Sequence, residues 1–182
     1  GSAGVSRERG EWGARAARDA GGRGARGWAG AELAGGVWAI PEATVGGMPD
    51  LAGKDGIELG GGTADLGAWL KRAGARRVVG IDLTPAQLAT ARRVNEETRL
   101  GLEFIEANAE AVPLPAAGFD LAVSEYGASL WCDPYLWSPE AARLLRPGGE
   151  LVFLQHGLLS SLCLPELRHI SHRLQAPQRG RH

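Results

Sequence analysis

Four stretches place chemically capable residues just after an apolar run: Glu58-Leu59-Gly60-Gly61-Gly62, Asp82-Leu83, Asn108-Ala109 and Ser124-Glu125-Tyr126. The first is the most constrained. Three consecutive glycines after "GIEL" leave a backbone with no side chains, open to close approach, and Leu66, Trp69, Leu70 and Ala73 follow at helical spacing. An apolar strand, a glycine turn and a helix form the corner at which nucleotides bind, where backbone N–H groups and the helix's positive end face a ligand.

The elements that must position these residues alternate in type. "DGIELG", "RRVVGID", "LEFIEAN", "FDLAVSEY" and "GELVFLQH" read as five buried strands, the last entered through an "RPGG" turn after the helical stretch "SPEAARLLR". A helix is predicted over "LTPAQLATARRVNEET", with Thr84 as N-cap, Pro85 at its first position and Gln87 closing a capping box. Strands joined by helical crossovers predict an α/β chain with a doubly wound, mostly parallel sheet. Ligands of such sheets lie across the carboxyl ends of the strands, which here are Gly60 to Gly62, Asp82, Asn108 and Ser124 to Tyr126.

Composition limits the function classes. The 182 residues suit one domain, and a formal net charge of -1 provides no general attraction to nucleic acid or anionic lipid. No run approaches the roughly 18 apolar residues of a membrane span. Two cysteines, Cys132 and Cys163, build neither a disulfide framework nor a paired zinc site, so a reducing cytoplasm is expected. His169 and His172 share one helical face, but no further ligand accompanies them, and no metal is expected. Residues 1–30, rich in Gly, Ala and Arg, read as a disordered tail; 31–160 read as the binding domain and 161–182 as a basic, proline-containing C-terminal tail.

"ELGGGTA", "GIDLTPAQLATAR", "ANAEAVPLPAAGFDLAVSEYGA" and "EAARLLRPGGELVF" together, in this order, resemble the motifs of the class I S-adenosylmethionine-dependent methyltransferases, of the bacterial small-molecule type. The likeness covers roughly Val37 to Gln155. It departs at Ala64, where the family has a third glycine, at Asn108, where it usually has Asp, and at Gly56 inside the first strand. An Ala64 already in helical conformation narrows the turn only slightly, whereas Gly56 loosens the strand's packing. The family's sheet also has two further strands, which the stretch after His156 does not provide. The resemblance therefore implies a Rossmann-like methyltransferase fold lacking its last two strands, apparently truncated at the C-terminus and prone to self-association through the exposed edge of the fifth strand.

The resemblance implies S-adenosyl-L-methionine as cofactor and a small organic methyl acceptor as partner. Gly60, Gly61 and Gly62 then bear the methionine part and the ribose, and Glu58 adds negative potential near the ammonium and sulfonium. Asp82 accepts from the ribose hydroxyls, Leu83 covers one face of the adenine, and Asn108 and the Ala109 N–H meet its edge. Glu125 borders the cofactor and, with His156, is a candidate general base, although in-line transfer from a sulfonium requires no protein nucleophile. Trp38, Tyr126 and Trp131, with Trp137, are expected to wall the acceptor or to pack in the core. Two other classes fit part of the pattern. A nicotinamide-dependent oxidoreductase shares the strand, turn and acid but needs glycine where Asp65 stands, and a noncatalytic methyltransferase-like module shares the cofactor corner without an acceptor pocket.

Overall fold

Side chains alternate across the inner strands, and the two resulting apolar faces explain the layering. The computed structural model describes Trp28 and residues 32–35 and 40–157; the rest of the segments read as tails, with Trp38, Cys163, His169 and His172, lie outside the described residues. After β1 (Ala34–Gly35), β2 (Ile40–Pro41) and α1 (Glu42–Val45), the chain alternates β3 (Asp55–Leu59), α2 (Asp65–Arg72), β4 (Arg77–Asp82), α3 (Pro85–Thr98), β5 (Glu103–Glu106) and β6 (Phe119–Glu125). Then come α4 (Ala128–Trp131), α5 (Pro134–Leu144) and β7 (Leu145–Leu154). The main sheet has the order β5-β4-β3-β6-β7, and every pairing in it is parallel. This is the doubly wound sheet expected from the alternation, with its strand order reversing beside β3.

Val78, Leu121 and Val123 face α2 and α3, packing with Leu66, Leu70, Ala91 and Val94. Ile57, Leu59, Val79, Ile81 and Phe119 face the other way, onto Trp137, Ala141 and Leu144 of α5. Phe119 and Leu121, two apart, fall on opposite faces because the β6–β7 register slips between them, Phe119 opposing Leu145 while Leu121 opposes Glu150. The slip absorbs Arg146 to Gly149, so the expected "RPGG" turn is a bulge inside β7, with Gly148 at φ +82°. Trp28 is fully buried against the first of these cores, its Nε1 donating to Thr63 O at 2.7 Å and its ring 6.5 Å from that of Phe104.

The amino ends of the strands are tied by charge. Asp55 is buried and accepts from Arg76 Nε at 2.9 Å and from Arg146 at 2.8 Å, while Arg146 also reaches Asp120 at 2.7 Å. Asp120 in turn accepts from the Asp55 N–H at 2.8 Å, joining β3, β6 and β7 at one end. The Arg76 hydrogen bond holds the Asp55 carboxyl below the usual range, against the cost of its burial, and Arg146 does the same for Asp120. A carboxyl depressed on folding contributes stability above its unfolded value of about 3.9 and loses it as pH falls through the folded value.

The glycines differ in what surrounds them. A Cβ added at Gly56 meets Leu70 Cδ1 at 3.5 Å and Val78 Cγ2 at 4.0 Å, which is ordinary contact. At Gly127 it would lie 2.1 Å from Gly60 O. Gly56→Ala is therefore expected to stabilise the fold by about 0.5–1 kcal/mol, chiefly by restricting the unfolded chain. Gly127→Ala should cost about 3 kcal/mol or more in the same urea titration. A second titration at pH 7 and at pH 3 should find Asp55→Asn clearly less stable than the parent at pH 7 and much closer to it at pH 3. A penalty independent of pH would show that the ionised form contributes nothing.

Candidate functional site

The glycine turn is held from within. Gly60 N and Gly61 N both donate to Ile81 O, at 2.8 and 3.0 Å; Gly62 N donates to Asp82 Oδ2 at 2.8 Å, and Ala64 N to Gly61 O at 2.7 Å. The end of β4 thus takes the three glycine N–H groups, donors that a nucleotide corner of the phosphate-binding kind presents to its ligand. Asp82 Oδ1 also accepts from Thr84 N at 2.7 Å. A carboxylate has about four lone-pair sites, so Asp82 retains two for ligand hydroxyls.

Each glycine meets a different neighbour. Gly60, at φ +73°, lies against the Gly127 backbone, and a Cβ there would come within 2.5 Å of Ala128 N. Gly61 and Gly67 flank the Glu58 carboxyl, which a Cβ on either would approach to 2.7 Å. Only Gly62 turns a bare face outward, beneath the Gln87 amide, whose Nε2 lies 3.7 Å from the Cβ position. Ala64 adopts the left-handed conformation at φ +60° rather than the helical one expected of it, at a cost of roughly 1–2 kcal/mol that glycine avoids.

Glu58 projects to the α2 side of the sheet and lies beneath the turn, its Oε2 accepting from Gly67 N at 2.9 Å. Burial pushes its carboxyl up to about 8, with Asp65, Glu125 and Asp82 adding repulsion, so at neutral pH it is largely the uncharged acid. Asp65, the first residue of α2, is also raised, by desolvation and then by Glu125, in spite of a hydrogen bond from Thr63. The field around the turn is that of crowded carboxylates, and it favours a cation.

The nucleoside side lies beyond Asp82. Leu83 is 42% exposed there, its side chain free to cover a ring. Asn108 is held by Glu110: its Oδ1 accepts from Glu110 N at 3.0 Å and its Nδ2 donates to Glu110 Oε2 at 3.1 Å, while Glu110 Oε1 takes the Asp133 N–H at 2.8 Å. One lone pair of the amide oxygen remains for a ligand, next to the buried Ala109. Cys132, at the end of α4, is pushed up to about 11 by burial and by Glu110 and Asp82, which leaves it an unreactive thiol.

At the ends of β6 and β7 a cleft of about 460 Å³ opens, lined by Ile40, Val45, Met48, Glu125, Tyr126 and His156 among others. Glu42 shapes its rim, donating its N–H to Leu33 O at 2.8 Å and accepting from Met48 N at 2.6 Å. Tyr126 stands at φ +49°, its N–H on Leu154 O at 2.9 Å and its ring 4.7 Å from that of His156. Of the expected aromatic wall, Tyr126 faces this cleft. Trp137 belongs to the core, 5.5 Å edge-on from Phe153, and Trp131 is 52% exposed at the end of α4.

Sequence reasoning passed over three residues here. Gln87 does not close a capping box, since the Thr84 side chain caps nothing; its amide lies over Gly62 instead. Asp65 was weighed only as a break in a dinucleotide motif. Gly127 had a signal, a glycine directly after a strand that neighbours the glycine turn. Among the described residues, the buried side-chain oxygens without a hydrogen-bond partner are Asp65 Oδ1 and Gln87 Oε1, one on each side of the turn. Two unmatched acceptors, a carboxylate-rich field and glycine N–H groups already bonded within the protein fit a ligand that brings its own donors and positive charge, as S-adenosylmethionine does with its ammonium, sulfonium and ribose hydroxyls.

Comparison with known proteins agrees with this geometry. Residues 57–153 match the family model described as "Methyltransferase domain". The demethylmenaquinone methyltransferase of Thermus thermophilus is 41% identical over 100 residues, 54% of this chain and 46% of that protein. The 2-methyl-6-phytyl-1,4-hydroquinone methyltransferase 2 of Oryza sativa is 38% identical over 95 residues, 51% of this chain and 26% of that one. An S-adenosylmethionine-dependent methyltransferase from Mesorhizobium loti superposes with a TM-score of 0.55 at 31% identity, covering 61% of this chain and 50% of its own. The chain spans about half the length, or less, of these relatives. Reached first from the turn and its field and then from these matches, the conclusion is that this chain belongs to the methyltransferase domain family, with the Rossmann-like fold of its S-adenosylmethionine-dependent members.

Proposed function

We propose that the chain binds S-adenosyl-L-methionine across the carboxyl ends of β3, β4 and β5, and serves methyl transfer to a small, flat, largely apolar acceptor in the cleft beyond β6 and β7. One observation carries the cofactor reading: the N–H groups of Gly60, Gly61 and Gly62 are all committed to Ile81 O and Asp82. A dinucleotide pyrophosphate needs those donors, whereas a phosphate-free cation does not. The crowding of Asp65, Asp82 and Glu125 around the turn supports the same choice, because it repels an anion.

When bound, the cofactor supplies a methyl group activated on its sulfonium. Asp82 would hold the ribose diol, Leu83 and Asn108 would border the adenine, and the glycine turn would seat the methionine part. Ile40, Val45, Met48 and Tyr126 exclude water and hold the acceptor in line, which is where most of the acceleration arises. Glu125 and His156 face the same space and are the candidates to take a proton from an acceptor hydroxyl. The printed names of the relatives, demethylmenaquinone and a phytyl hydroquinone methyltransferase, support an acceptor of hydroquinone type.

The setting is also proposed. No helix among the described residues is long and apolar enough to cross a membrane, and the two cysteines suit a reducing cytoplasm. β7 forms one border of the described sheet, with Phe153 49% and Leu154 40% exposed, and we place self-association there.

Calorimetric titration tests the cofactor reading. S-adenosylhomocysteine should bind one to one, NADH should not bind, and Asp82→Ala should weaken the former about 100-fold or more, the loss of two charge-assisted hydrogen bonds. Selective binding of NADH would overturn it. Light scattering at micromolar concentration should give at least a dimer, lost in Phe153→Lys; a monodisperse monomer would remove the role of the β7 edge.

A further inference from the structure

The acid before the glycines, Glu58, is the residue that the sequence points to for the cofactor's cationic end, yet its carboxyl lies under the turn between Gly61 and Gly67, already bonded to Gly67 N. It has no open path to a ligand on the other side of the backbone. Asp65 differs in each respect. It begins α2 directly after the turn, and among the described residues Oδ2 takes only the Thr63 hydroxyl, at 3.1 Å, while Oδ1 is buried with no donor. Its next neighbour, Leu66, lines the acceptor cleft together with Glu125, whose charge is felt at Asp65. Asp65 therefore stands on the cleft side of the turn, and Asp82 on the nucleoside side.

Gln87 is the counterpart across the turn. Its amide covers the open face of Gly62, the residue whose N–H Asp82 holds, and its Oε1 is the other unmatched acceptor. An unmatched buried acceptor is costly, the more so when charged, and two of them bracketing one glycine turn suit the two ends of a single donor-bearing ligand.

We propose that Asp65, rather than Glu58, binds the α-ammonium of the cofactor, and that Gln87 accepts a hydrogen bond from its ribose alongside Asp82. This rests on the S-adenosylmethionine reading above and adds its orientation: the amino-acid end points toward α2 and the acceptor cleft, and the nucleoside toward α3. Glu58 is a positioning residue, which fixes the start of α2, and with it Asp65, through Gly67.

Binding calorimetry with two ligands separates these roles. S-adenosylhomocysteine carries the ammonium; 5′-methylthioadenosine carries the same nucleoside without the amino-acid end. Asp65→Asn should weaken the first about 30-fold and leave the second within about twofold, a loss in the range of one charge-assisted contact. Gln87→Leu should weaken both by about the same factor, near fivefold, and Glu58→Gln should change neither beyond twofold. Equal losses on both ligands in Asp65→Asn, or none, overturn the assignment, as does a large selective loss in Glu58→Gln. S-adenosylhomocysteine stripped of its α-amino group, titrated into the unmodified protein, should show the loss seen in Asp65→Asn and no further loss in that variant, and an undiminished affinity overturns the proposal even if the variant fails to fold. Should the unmodified protein bind neither nucleoside, the cofactor reading itself falls; binding of both with no Asp65 selectivity removes only the orientation.

Discussion

The carbonyl of Ile81 and the carboxylate of Asp82 together hold the glycine turn in place, and the rest of the site depends on that hold. Three successive N–H groups, at Gly60, Gly61 and Gly62, end on these two acceptors. Because β3 and β4 pair in parallel register from Asp55↔Arg77 to Leu59↔Ile81, the last residues of β4 arrive beside the turn without a separate loop to place them. The turn is thus a continuation of strand pairing, not a loop waiting for a ligand to order it. The same hold bears on the charge the turn accepts. With the three glycine N–H groups bonded to β4 and carboxylates around it, the turn is better suited to a cation than to phosphate.

The same constraint explains the glycines. A run of three invites one explanation, that a ligand lies on it, yet each residue answers to a different neighbour: Gly60 to the backbone of Gly127, Gly61 to the Glu58 carboxyl, and Gly62 to the Gln87 amide and the open side. Two of the three permit protein to approach protein. The β6–α4 junction can cross the β3–α2 junction at backbone distance only because glycine stands on both segments.

Much of this was legible beforehand, and the reasons are physical. The strand cores, such as Ile57 and Leu59 or Val79 and Ile81, announce themselves because a parallel sheet covered on both faces reads as continuous apolar sequence. Asp82 and Asn108 are legible as strand ends, where such sheets bind. The position of Gln87 over Gly62 is not, because three residues after a threonine and before an apolar run it satisfies a capping pattern; Asp82 decides against the cap by taking the Thr84 N–H itself. The burial of Glu58 is hard to read for a related reason. Strand alternation sends it to the helical face, and only knowing that α2 packs close enough at Gly67 shows that its carboxyl cannot reach across. Ala64 is hard to read too, since its left-handed backbone is invisible in composition.

A buried acid that is largely neutral looks wasteful in a site meant for a cation, but its position resolves the difficulty. Were Glu58 ionised beside Asp65, Asp82 and Glu125, four negative charges would crowd one turn before any ligand arrived, and the repulsion would oppose folding. Keeping the most buried of them protonated spares that cost while preserving the hydrogen bond to Gly67 N that anchors α2.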